Sequence, residues 1–269
     1  MKYFIQKILF ALLFFVTLHE AFEIDPFNPG ASLTENFSTN CLQMTQSQQI
    51  LKAYLMIALN SKFQNPKENL AKAIVDYDKR AHQVRAYFHK LLGDKNQAAK
   101  DAFDEAMRLW QENKKMLEQP PRQENALKIK ENFLHMINKL LEGTKPLATP
   151  DLELISLTGK LCRKPVEITN DYLMRIWGVN IPNYENEVAG IMRNFHINLR
   201  TLAANKLNNQ ESRALLERAR KQFMFFEIMY KAKTRFIPHL LSKKADDNFL
   251  IIRQIKMIYK KEAEKDMAK

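Results

Sequence analysis

Apolar residues recur at three- and four-residue steps along most of the chain, and the steps break where helices break. In residues 40–59 (NCLQMTQSQQILKAYLMIAL) the series is Cys41, Met44, Leu51, Leu55 and Leu59, with Ile50, Tyr54 and Ala58 beside it. Gln43, Gln46, Ser47, Gln48, Gln49 and Lys52 crowd the turns between, which predicts a long amphipathic helix. Ser32, followed three places on by Glu35, forms a capping box that starts this helix near Leu33. It should end before residues 60–66. A second helix is expected over 67–92, striped by Leu70, Ala71, Ile74, Tyr77, Ala81, Val84 and Phe88 and closed by Gly93-Asp94. The third, 96–118, carries Ala99, Ala102, Phe103, Ala106, Leu109, Trp110 and Leu117 until Pro120-Pro121 breaks it. The fourth, 124–141, shows Leu127, Phe133, Leu134, Ile137 and Leu140 and stops at Gly143. Residues 144–150 read as a linker.

The plan then repeats. Thr149 caps a fifth helix and Pro150 takes its first position. Tyr54-Leu55-Met56 returns as Tyr172-Leu173-Met174, 118 positions on. At the same offset Leu70, Ala71, Ile74, Tyr77, Ala81 and Val84 meet Val188, Ala189, Met192, Phe195, Leu199 and Leu202. Asn96-Gln97 is echoed by Asn209-Gln210, with Trp110 near Phe223, and Asn132-Phe133-Leu134 by Asn248-Phe249-Leu250. The chain reads as a duplication, repeat 32–143 followed by repeat 151–264, each of four helices with short connections that favour antiparallel neighbours. The expected fold class is all-α: two tandem antiparallel four-helix-bundle repeats, or both merged into one elongated bundle.

Composition agrees with helices: 6 Gly in 269 residues and 46% apolar residues, enough for a core. Forty-two basic against 30 acidic residues give a net charge of +12. The cations are spread through helical segments and no nucleic-acid-binding motif accompanies them, so a solvated lysine-rich surface is expected and a nucleic-acid partner is not. An anionic membrane surface is a further partner that this charge allows. Lys2 and Lys7 flank the start, residues 8–18 form an apolar run and Ala21 offers a small residue for cleavage, although His19 suits the cut poorly. Residues 1–21 are therefore expected to be a signal peptide, with an uncleaved anchor as the alternative, and the mature chain to be soluble and periplasmic. The run is short for a span of about 20 residues, and no later segment is apolar enough to cross a membrane. In an exported chain Cys41 and Cys162 are either bridged or two buried small hydrophobes. They fall three positions apart when the echoes are superposed.

Catalytic signatures are missing: no G-x-S-x-G elbow, phosphate-cradling glycine loop or H-E-x-x-H is present, and no histidine has Glu three places before it. Asp78 and His82 lie one turn apart with His89 further along, which reads as a solvated polar face rather than a metal site. No enzyme activity, cofactor or metal is expected.

Gln43, Ser47, Gln48, Lys52, Tyr54 and Leu55 match a signature that reads roughly A-G-R-Q-R-M-L-S-Q-R-x-x-K-x-Y-L. On these residues the chain resembles the N-terminal domain of type IV pilus methyl-accepting chemotaxis transducers (PilJ-like), a helical sensory module related to nitrate and nitrite sensor input domains. The signature's glycine is Cys41 here, and its arginines are Leu42, Met44 and Gln49. The second copy keeps Thr158-Gly159-Lys160, with Arg163 and Lys164 one turn on, then departs at Pro165, Val166 and Glu167, and a proline there should kink the helix. The resemblance implies recognition of a small ligand where two signature helices face each other, with Gln43, Ser47, Gln48, Lys160 and Arg163 as the candidate ligand-binding residues. It also implies an anion as one class of ligand, since arginine forks suit planar anions, and a membrane receptor as a partner, because no signalling module follows. The tandem copy would then imitate within one chain the two-fold pairing that sensor dimers make between chains. A structural or interaction bundle of the cell envelope, with no small ligand, is the other expectation.

Overall fold

The computed structural model describes residues 27–94, 96–232 and 237–267. The expected signal peptide lies outside them. Eight α-helices make up the described chain: α1 (Leu33–Ala58), α2 (Pro66–Leu92), α3 (Gln97–Leu117), α4 (Gln123–Thr144), α5 (Pro150–Ile176), α6 (Tyr184–Ala203), α7 (Gln210–Ala232) and α8 (Pro238–Met267). A 3-10 turn, Lys145–Leu147, joins α4 to α5, and no strand occurs among the described residues. The protein is an all-α bundle.

Local chemistry sets most boundaries. The Ser32 hydroxyl accepts from the Glu35 amide at 3.1 Å, and the Thr149 hydroxyl accepts from Leu152 at 3.3 Å. Pro66 and Pro150 occupy first positions, where their missing N–H is no loss. Gly93 closes α2 in the left-handed region (φ 58°). One expectation differs from the structure. Helix α4 passes through Gly143, because this glycine serves packing: a Cβ there would sit 2.6 Å from the Phe103 ring and 3.1 Å from the Ala99 carbonyl. Helix α5 runs unbroken through Pro165. Pro165 is buried there, and the Thr169 hydroxyl donates to its carbonyl at 2.8 Å.

Positions matched in sequence occupy matched places in the backbone. Leu59, Asn60 and Ser61 donate to Leu55, Ile57 and Met56; 118 residues on, Trp177, Gly178 and Val179 donate to Leu173, Arg175 and Met174. Asn60 and Gly178 take the left-handed conformation in these turns, as do Asn65 and Asn183 ahead of the next helices. Tyr77 packs on Trp110 with ring centroids 4.2 Å apart, and their counterparts Phe195 and Phe223 stack at 3.5 Å.

The halves do not stand apart. Helices α1 and α5 lie side by side and parallel, for Cys41 meets Gly159, Met44 meets Arg163 and Gln48 meets Asn170, numbers rising together. Each fourth helix then reaches across. α8 runs antiparallel along α1, from Met56–Ser242 through Lys52–Asp246 to Ser38–Lys256. α4 meets α5 through Gln123–Trp177 and Lys130–Asp171. One apolar core fills the first half and includes Leu173, Met174, Val179 and Ile181 of the second. Another fills the second half and includes Leu42, and a small cluster of Phe37, Cys41, Leu152 and Ile155 joins the two central helices. This is the merged arrangement of the two expected. Every residue from Asn36 to Met56 is buried, polar ones included, because α2, α4, α5 and α8 surround α1.

Gly159 sets the closest approach of the central pair: a Cβ there would lie 2.9 Å from the Cys41 Cβ, an atom too near its backbone to swing away. Gly159→Ala should therefore destabilise the protein by about 1–3 kcal/mol, although alanine is the better helix former. Thermal unfolding of G159A, and of G159A combined with Cys41→Gly, tests this; the double variant should recover most of the loss.

Candidate functional site

The polar residues of α1 are shielded from water; some of their side-chain atoms, both polar atoms of Asn40 among them, have no partner, and others bond within the protein. Several do so across the boundary between halves. The Asn170 amide donates to the Gln48 carbonyl at 3.0 Å and to its side-chain oxygen at 3.2 Å. Gln49 donates to Asp246 at 3.2 Å, and the Lys52 ammonium binds the same carboxylate oxygen. Lys256 donates to the Ser38 carbonyl at 2.9 Å. Together these groups form a buried polar seam between α1, α5 and α8.

The seam fixes its own amide orientations. Asn170 faces a carbonyl and Gln49 faces a carboxylate, neither of which can donate, so both must present their NH2 groups there. Gln48 then accepts with Oε1. The Asn170 Oδ1, Gln49 Oε1 and Asp246 Oδ2 acceptors are left without a protein partner, as are the donors Gln48 Nε2 and, on the same α1–α5 contact, Arg163 Nε. Burial pulls the Lys52 amine below the usual lysine range, and the adjacent Asp246 carboxylate opposes the shift.

The residues proposed from sequence are only partly brought together. Gln48 and Arg163 both line the α1–α5 contact, where Arg163 donates to the Met44 sulfur at 3.5 Å and pairs with Glu167 at 3.4 Å. Glu167 also takes Lys164 at 2.6 Å, so the cations of this turn are already matched by a carboxylate of their own helix. Lys160 is half-buried beside Cys41. Ser47 donates to the Met44 carbonyl of its own helix at 2.8 Å. Gln43 looks the other way and lines a crevice with Tyr77, Ala81, Phe103, Trp110 and Met136, where the Tyr77 hydroxyl donates to the Met136 sulfur at 3.4 Å. That crevice offers about 10 Å³, as does another lined by Lys52, Met56, Phe63, Asn69 and Ser242, which touches the seam through Lys52. Each has room for about one water.

Cys41 and Cys162 are both free and buried, the second of the two alternatives. Burial raises both thiols, Cys162 to about 12, so neither carries thiolate at neutral pH. Asp78 is engaged by Trp110, Gln111 and Lys114, while His89 turns to Asp104 and the Lys100 carbonyl. Among the described residues no three His, Cys, Asp or Glu side chains cluster as metal ligands would.

Sequence reasoning missed Asn170, Asp171, Asp246 and Lys130. The available signal was charge in the wrong place: Asp246 falls between buried Ala245 and Phe249, and Lys130 beside Ile129 and Phe133. Lys130, on α4, binds Asp171 at 2.7 Å and Glu187 of α6 at 2.8 Å, its side chain 8% exposed and that of Asp171 1%. Two carboxylates share one ammonium, and Asp171 keeps an oxygen without a partner. Burial pushes Asp171 up to about 7, helped by Glu187 and Glu167 against Lys130. Scans against protein-family models, curated proteins and solved structures found no match.

A carboxyl whose folded pKa is raised binds more protons folded than unfolded, so it stabilises at low pH and the contribution is lost as pH rises through its folded value. From about pH 4, the unfolded value, to about 7 the wild-type unfolding free energy should therefore fall relative to that of Asp171→Asn. Urea unfolding of both proteins at half-unit pH steps measures it; equal slopes would remove Asp171 from the account.

Proposed function

We propose that the chain is a non-catalytic sensor-like module, exported to the periplasm, whose recognition element is the seam between α1 and α5. The observation that carries this reading is the parallel juxtaposition of the two signature-like helices, Cys41 against Gly159 at the 118-residue offset, with polar side chains buried between them. Such pairing within one chain parallels the two-fold pairing of sensory input domains that the resemblance implies. A membrane receptor is the partner to which such a module would pass its state. No helix among the described residues is long and apolar enough to cross a membrane.

The chemistry of the seam bears on the ligand. An anion needs free donors, and here the charges of Arg163 and Lys164 are matched by Glu167, leaving the Arg163 Nε–H and the Gln48 amide as unbonded donors, while the other unused groups of the Gln48–Gln49–Asn170–Asp246 cluster are acceptors. The better fit is a small donor-bearing molecule: ammonium, a short amine or an amide. The crevices are the size of one water, which favours a second reading, an interaction bundle of the cell envelope with no small ligand.

A thermal-shift screen distinguishes the two. Ammonium chloride, methylammonium and small amides, compared with sodium chloride, nitrate and nitrite, should raise the melting temperature of wild-type protein but not of Gln48→Leu. At a hundred times the dissociation constant a ligand adds about 2.7 kcal/mol. No shift with any compound would leave the interaction bundle; a shift with nitrate alone would restore the anion.

A further inference from the structure

The buried ion pairs that cross between the halves follow one rule. In the register set by Asn132 and Asn248, which are both buried and both bonded to the preceding helix, Lys130 of α4 and Asp246 of α8 occupy the same position. Each reaches over to the first helix of the opposite half. Asp246 meets Lys52 on α1; Lys130 meets Asp171 on α5, one place past the residue 118 positions after Lys52. Both cations therefore come from the first half and both aspartates from the second. Within each half the matched turns and ring pairs follow one plan, so the two halves present their first and fourth helices alike.

We propose that this arrangement is a pairing code: the α1–α4 face accepts a second-half α5–α8 face and rejects a copy of itself. Two first halves laid face to face would bury Lys52 against Lys130 twice. Two second halves would bury Asp171 against Asp246 twice. Like charges facing each other in so dry a place defeat association, whereas the mixed pairing sets each ammonium against a carboxylate. The partner this surface fits is thus the chain's own second half or, by reciprocal exchange, the second half of another copy. It is not the like-with-like pairing that a two-fold sensor dimer makes through its signature helices.

The test uses full-length chains. K52D/K130D makes both faces acidic, and D171K/D246K makes both basic. Each alone should melt about 10 °C or more below wild type. The fourfold reversal K52D/K130D/D171K/D246K should return to within a few degrees of wild type as a monomer. Refolding the two double variants together should yield a one-to-one dimer by exchange of halves, read by native mass spectrometry, while neither forms one alone. A fourfold variant no more stable than the doubles would overturn the proposal, as would a mixture that never gives the mixed dimer or a double variant that dimerises alone.

Discussion

Two polar helices sit where a bundle would ordinarily place its most apolar residues. Every amide, hydroxyl and ammonium on the inner length of α1 is cut off from water, and an unsatisfied group there costs about 1–3 kcal/mol. The partners of Gln48, Gln49 and Lys52 lie on the other half, on Asn170 and Asp246. This constraint fixes which groups of the two halves must face each other. The two main cores are separate and mostly confined to one half each; among their buried residues Leu42 crosses in one direction and Leu173, Met174, Val179 and Ile181 in the other.

Polar burial also explains why the central contact is specific in register. Apolar ridges tolerate a slip of one turn, whereas a slip here would separate Asn170 from Gln48 and Asp246 from Lys52 together. Gly159 adds a steric stop at one end, since only a residue without Cβ fits against Cys41. Near the other end Trp177 accepts from Gln123 of α4. The same matching bears on chemistry: Glu167 draws in Arg163 and Lys164, so charges that look available in the sequence are internal to the fold.

Much of the architecture was legible because caps, prolines and the apolar period act locally. The Ser32 and Thr149 caps and the Pro120-Pro121 break are written within a few residues of their effects. The equivalence of Tyr54 with Tyr172 and of Tyr77 with Phe195 could be read too, because matched burial selects matched residues. The inference that Gly143 ends α4 failed because its role is set by Phe103, forty residues away and on another helix. Of the candidate site, Gln48 and Arg163 were found through the signature, whereas Asn170, Asp171 and Asp246 were not. Their meaning depends on which helix of the other half lies opposite, and nothing in a helical period encodes that. Gln43 shows the converse: it matches the signature yet faces a crevice of the first half beside Tyr77 and Trp110.

The parallel course of α1 and α5 has a consequence for how the molecule is assembled. Parallel neighbours cannot be joined by a tight turn, and here three whole helices intervene before the chain returns to lie beside its start. Lys52 waits 194 residues for Asp246, and the Ser38 carbonyl waits 218 for Lys256. Contacts so distant in sequence close late, because chain entropy must be lost before they form. The polar side of α1 that meets α8 is thus the side whose partners come last in the chain. That hydrophilic side keeps the waiting half from sticking to its neighbours, a form of patience that a leucine-faced helix in the same place would lack.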